Sequence, residues 1–229
     1  MHNSLILGLM SGTSFDGIDA SFLYTDGINF KRTPFNLTQK YNTLTIKHLR
    51  EALDNPNYFI TCKKKMQRLI NLVTIDHYNV AKNLIDMSGL SPDYIGFHGQ
   101  TILHKPDKRI SVQIGNGQML AKLLQKEVIY NFRFNDLVNG GQGAPISPIY
   151  HLALMNNLKN QFPMCFLNIG GIANITFADK ISLIGYDVGP GNNLVDAFIQ
   201  KNTKLLFDNN GEITKKGIPN QNIVDKNLN

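Results

Sequence analysis

Apolar residues over 5–9 and 18–24 flank a polar, glycine-bearing stretch, which predicts strand, turn, strand, with a second turn at Asp26 and Gly27 and a third extended run beyond. Farther on, Met66, Leu69, Ile70, Val73, Val80, Ala81 and Leu84 recur at helical spacing. The pattern predicts one long amphipathic helix over 63–88, capped by Gly89, with Pro92 just past it. His77 fills the gap in that apolar stripe and reads as a hydrogen-bonded core or rim histidine rather than a catalytic one. Short strands at 94–97 and 110–114, a helix at 118–126 and a strand at 128–132 follow. Ser147 and Pro148 form the expected cap and first turn of a helix over 149–160. A buried-type strand at 164–169, a turn at Gly170 and Gly171, and a strand at 174–177 then repeat the strand-turn-strand of the N-terminus. After a helix at 194–200, the chain from residue 208 is rich in Asn, Lys and Gly and predicts no packed element. The expected organisation is α/β, with a first domain over 1–134 and a shorter, partial second domain over 135–229.

Composition narrows the class. With 229 residues, 42% hydrophobic and 17% charged, the chain has material for one large or two small cores. The apolar run at 5–10 falls far short of the roughly 18 residues of a membrane span, so a cytoplasmic protein without a membrane partner is expected. The net charge of +6 includes one dense basic run, Lys63, Lys64, Lys65 and Arg68. That run opens the long helix without interleaved aromatics, which reads as a solvated face and argues against a nucleic-acid partner. Cys62 and Cys165 lie in no CxxC or Cys/His spacing and read as inert thiols.

The candidate chemistry sits in the turns. Gly12, Thr13, Ser14, Asp16, Gly17 and Asp19 crowd glycines, hydroxyls and carboxylates between two strands. Glycines admit backbone N–H groups to an anion, hydroxyls donate, and a carboxylate such as Asp16 or Asp19 holds Mg²⁺. No Gly-Lys-Ser/Thr follows, so this is not a Walker A loop. Gly170 and Gly171 offer donors for a second phosphate contact. Asp187, in Asp-Val-Gly-Pro-Gly-Asn-Asn, is expected at a strand end beside a helix N-terminus, where an ionised carboxylate can act as a base or simply cap a turn. His98, Gln100 and Thr101 follow a strand, a common place for ligand contacts, while Arg133 and Asp136 bind a sugar or line a hinge. Gly115-Asn116-Gly117 imitates a dinucleotide fingerprint, but Leu120 occupies its third glycine position, which argues against a nicotinamide enzyme.

Taken in order, the segments 8–19, 97–101, 132–145, 166–176 and 185–192 resemble the anhydro-N-acetylmuramic acid kinases. The resemblance implies two ribonuclease-H-like domains of the sugar kinase, heat-shock-protein and actin superfold, closing over ATP and an anhydro amino sugar. It implies cleavage of the 1,6-anhydro bond with phosphorylation of O6, in peptidoglycan recycling. Asp187 would take the proton of the attacking water, residues 12–19 would hold phosphates and Mg²⁺, and Gly170 and Gly171 would contact the phosphate chain. His98, Gln100, Thr101, Arg133 and Asp136 would meet the sugar. Family members continue for more than a hundred further residues, including an adenosine-binding glycine loop, so the expectation is a C-terminally truncated chain. It would work with a complementing C-terminal fragment or as a homodimer, or else be an inactive pseudoenzyme with residual sugar or phosphate binding.

Overall fold

The structure is a computed structural model describing residues 3–12, 14–158, 162–179 and 181–228. The chain forms two compact units, Met1–Phe166 with Ile175–Tyr186, and Leu167–Asn174 with Asp187–Asn229.

In the first unit, β1 (Ser4–Ser11), β2 (Ile18–Thr25) and β3 (Phe30–Gln39) form an antiparallel meander. Parallel β4 (Tyr94–Phe97) and β7 (Glu127–Tyr130) extend it into a mixed five-stranded sheet of order β3-β2-β1-β4-β7. Leu5, Leu7, Leu9 and Ser11 of β1, and Ile18, Ala20 and Phe22 of β2, are buried at alternate positions, the period a strand imposes. Helix α3 (Lys63–Ser88) meets this face with Leu69, Val73, Val80, Ala81 and Leu84. Its predicted bounds hold at both ends, because Gly89 stops it in the left-handed region at φ 67°. His77, in the gap of the stripe, is fully buried and hydrogen bonded, as its position predicted.

Two helices precede α3 that the apolar pattern does not announce, α1 (Thr43–Asp54) and α2 (Pro56–Thr61). Local chemistry starts them: the Asn42 side chain accepts from the Leu44 N–H at 3.0 Å, and Pro56 occupies the first turn of α2. Lys65, read as part of a solvated face, lies over the rings of Tyr58 and Phe59, 5.0 and 5.5 Å from their centroids. A hairpin of β5 (Gln100–Lys105) and β6 (Ile110–Ile114), then α4 (Gly117–Leu124), completes the packing around α3.

Several expectations change here. Phe132 opens α5 (Phe132–Val138) instead of ending β7. That helix buries Leu137 and lies against β6, so residues past 134 still pack with the first unit. Helix α6 (Pro148–Asn157) starts at its proline without the expected Ser147 cap: Ser147 is already helical, at φ −63° and ψ −24°, and its hydroxyl makes no capping bond. Residues 159–160, the end of the helix expected there, lie outside the described residues.

Strands β8 (Met164–Ile169), β9 (Ile172–Ala178) and β10 (Leu183–Pro190) form a second sheet of order β10-β9-β8. Strand β8 is apolar enough for burial, yet Leu167 and Ile169 are each 57% exposed. A strand's composition makes it fit for covering, and what packs on the sheet decides whether it is covered. Helix α7 (Asn193–Asn202) likewise exposes Leu194 and Phe198. Residues 221–228, expected to form no element, make α8 (Gln221–Leu228), whose described side chains are exposed. Among the described residues no helix is long and apolar enough to cross a membrane.

Candidate functional site

The turn between β1 and β2 is held from inside. Ser11 pairs with Ile18 across the strands, and the Phe15 N–H donates to the Gly12 carbonyl at 3.3 Å. Phe15 adopts φ 57° with its ring buried, which leaves Ser14 and Asp16 on the exposed side. Asp19, one strand step on, is exposed and accepts from the Thr38 hydroxyl at 2.6 Å. Thr13 lies outside the described residues.

Beneath this turn lies a buried polar cluster that only the fold assembles. Gln100 is fully buried; its Nε2 donates to the Gly12 carbonyl at 3.0 Å and to the Thr101 carbonyl at 3.3 Å, and its Oε1 accepts from the Tyr41 hydroxyl at 3.1 Å. Expected among the substrate residues, Gln100 has neither surface nor a free N–H to offer a sugar. Burial holds the Tyr41 phenol above its usual range, so its proton stays in place. The Ser11 hydroxyl lies 3.4 Å from His77 Nε2 and 3.3 Å from the Gly99 carbonyl. His77 Nδ1, 2.8 Å from the Val73 carbonyl, carries the ring proton that bond requires, which leaves Nε2 to accept. Burial pushes the His77 pKa down to about 4, with the Val73 carbonyl opposing and His98 adding to the effect.

His98 stands at the end of β4. Its Nδ1 donates to the Gly99 carbonyl at 2.7 Å and its Nε2 accepts from Arg133 Nε at 3.1 Å. Burial first, and the Arg133 charge second, push the His98 pKa down to about 4, so the ring is neutral at pH 7. Arg133 also donates to the Gly143 carbonyl at 2.6 Å, and the Gly143 N–H donates to the Asp136 carboxylate at 2.6 Å. His98, Arg133, Asp136 and the 139–145 loop are thus one hydrogen-bonded unit. Beside it, His98, Gly99, Gln113, Gly115, Tyr130 and Asn131 line a cleft of about 130 Å³. Thr101, the second residue of β5, accepts from Gln113 Nε2 at 3.2 Å, which links it to that cleft. A larger depression, about 610 Å³, lies between α6 and the β9–β10 hairpin, away from these residues.

The glycines of this region answer to packing. Gly99 adopts φ 71°, and a Cβ there would stand 2.6 Å from the Ile114 carbonyl oxygen. At Gly115 and Gly117, which imitate a dinucleotide fingerprint, a Cβ would collide with the rings of Phe97 and Tyr130. The side chain of Asn116 between them caps α4, accepting from the Met119 N–H at 2.9 Å.

In the second unit, the turn at Gly170 and Gly171 is closed by backbone bonds. Their carbonyls accept from the N–H groups of Asn192 at 2.8 Å and Gly191 at 3.0 Å. The expected phosphate turn and the Gly-Pro-Gly-Asn segment after Asp187 therefore form one backbone unit. Asp187 is exposed within β10, which runs on to Pro190, rather than at a strand end beside the helix.

Sequence comparison supplies the family. Residues 4–229 match the family described as anhydro-N-acetylmuramic acid kinase. The enzyme of that name from Pelagibacter ubique is 41% identical over 226 residues, covering 96% of this chain and 60% of its own. Those of Rhodospirillum rubrum and Agrobacterium fabrum are each 40% identical, covering 92% of this chain and 56% and 59% of theirs. An exopolyphosphatase-like protein of solved structure aligns over 84% of this chain and 52% of its own, at 9% identity and a TM-score of 0.42, too slight a likeness to assign a fold. The chain belongs to the anhydro-N-acetylmuramic acid kinase family, and it spans about 60% of the length of these relatives.

Proposed function

We propose that this chain carries the catalytic base and the two phosphate turns of an ATP-dependent kinase. The kinase would open the 1,6-anhydro bond of anhydro-N-acetylmuramic acid and phosphorylate O6, in the cytoplasm. The observation that carries the reading is the family match over residues 4–229, which includes every proposed site residue. In it Asp187, exposed, accepts the proton of the water that attacks the anomeric carbon. His98, Thr101, Arg133 and Asp136 hold the sugar.

Asp16 and Asp19, two exposed carboxylates at the first turn, fit Mg²⁺, which takes one or two carboxylates and fills its shell with water and phosphate oxygens. ATP with Mg²⁺ supplies the phosphoryl group and offsets its charge. Residues 12–17 bind phosphate through backbone and hydroxyl donors, and Gly170 and Gly171 offer donors for the phosphate chain. The order of the first sheet, an antiparallel meander continued by parallel strands, supports a ribonuclease-H-like first domain. A complementing C-terminal fragment or a second protomer is the proposed protein partner.

The test is phosphate transfer from ATP to the anhydro sugar with Mg²⁺, with Asp187→Asn alongside. Turnover lost in the variant by about 10²-fold or more supports the reading. Absence of turnover from folded protein, alone and with the C-terminal part of a relative added, would favour an inactive member of the family.

A further inference from the structure

Gln100 follows the sugar-side histidine by two residues, yet its side chain points into the protein. Its surroundings fix which way the amide faces. The Gly12 and Thr101 carbonyls can only accept, so both must face the NH₂ group, and the Tyr41 hydroxyl is left to donate to Oε1. Both donors of the amide are then used, inside a fully buried residue. Tyr41, itself 4% exposed, stands behind the amide and has no route to a ligand.

The mechanical consequence falls on the first turn. A carbonyl facing a phosphate would repel it, so a turn that binds anions through its N–H groups must hold its carbonyls away. Gly12 presents its carbonyl to the buried amide of Gln100, while Ser14 and Asp16 stay exposed. We propose that Gln100, backed by Tyr41, is a positioning residue that pins the Gly12 carbonyl into the core and so presets the first turn for phosphate. The ligand named here rests on the kinase reading; the pinning of the turn does not.

The test separates the two. Amide hydrogen exchange is compared in the wild-type chain, Tyr41→Phe and Gln100→Met, and binding of MgATP and of the anhydro sugar is measured separately by calorimetry. Loss of one neutral buried hydrogen bond in Tyr41→Phe should speed exchange in a peptide over 11–17 about fivefold, with more in Gln100→Met. Exchange over 63–88 should not change. MgATP affinity should fall in both variants while sugar affinity holds. Unchanged exchange over 11–17, or equal acceleration over 63–88, would overturn the proposal. So would sugar affinity that falls while MgATP affinity holds. Selective loosening of the turn in a chain that binds no MgATP, alone and with the C-terminal part of a relative added, would support the pinning and sink the kinase reading. Tyr41→Phe keeps its ring, so the question is decided even if Gln100→Met does not fold.

Discussion

Lowering the pH from 7 to 5 should weaken this chain well before its carboxylates titrate. His77 and His98 are buried, and each is held at a pKa of about 4, against about 6.5 when unfolded. Between those values the unfolded chain binds two protons that the folded chain refuses, so stability is intact above pH 6.5 and falls with pH down to about 4. Each histidine contributes about 1.4 kcal/mol per pH unit, so at pH 5 the pair costs about 4 kcal/mol, a large share of a typical domain's stability. His151, lowered by partial burial, acts in the same direction. Asp26, Asp179 and Asp208 are held below the usual carboxylate range by hydrogen bonds, and their losses come at lower pH. Urea unfolding followed by circular dichroism at pH 7, 6 and 5 measures the slope. His77→Gln should remove about half of it whatever it does to stability at pH 7, because a glutamine has no proton to refuse. A slope near zero in the wild type, or an unchanged one in His77→Gln, would refute the reasoning.

Two further variants probe the cluster around His98 and Arg133. Arg133→Met removes the guanidinium beside His98, so the His98 pKa, followed by NMR titration, should rise from about 4 yet stay below 6.5, because burial is the larger cause. Gly99→Ala combines a strained left-handed backbone with a collision against the Ile114 carbonyl, and thermal unfolding should show a loss of about 2 kcal/mol or more.

Local chemistry made much of the first unit legible. The period of Leu69, Val73, Val80 and Leu84 sets α3, and Gly89 ends it, because a helix needs only its own apolar stripe and a residue tolerant of left-handed backbone. The first meander is equally local, neighbouring strands joined by short turns. The family resemblance, carried by short motifs in order, is likewise a property of the chain alone, and the comparison with relatives bears it out.

What the sequence left open depends on partners distant along the chain. Nothing near Gln100 says that its amide will meet Gly12 and Tyr41, separated from it by 88 and 59 residues, and so a residue expected at the sugar lies in the core. Ser11 and His77, 66 residues apart, meet only because α3 lies across the face of β1. The apolar strand β8 reads as core, but hydrophobicity records only the cost of exposure, and the packing around a strand decides whether that cost is met.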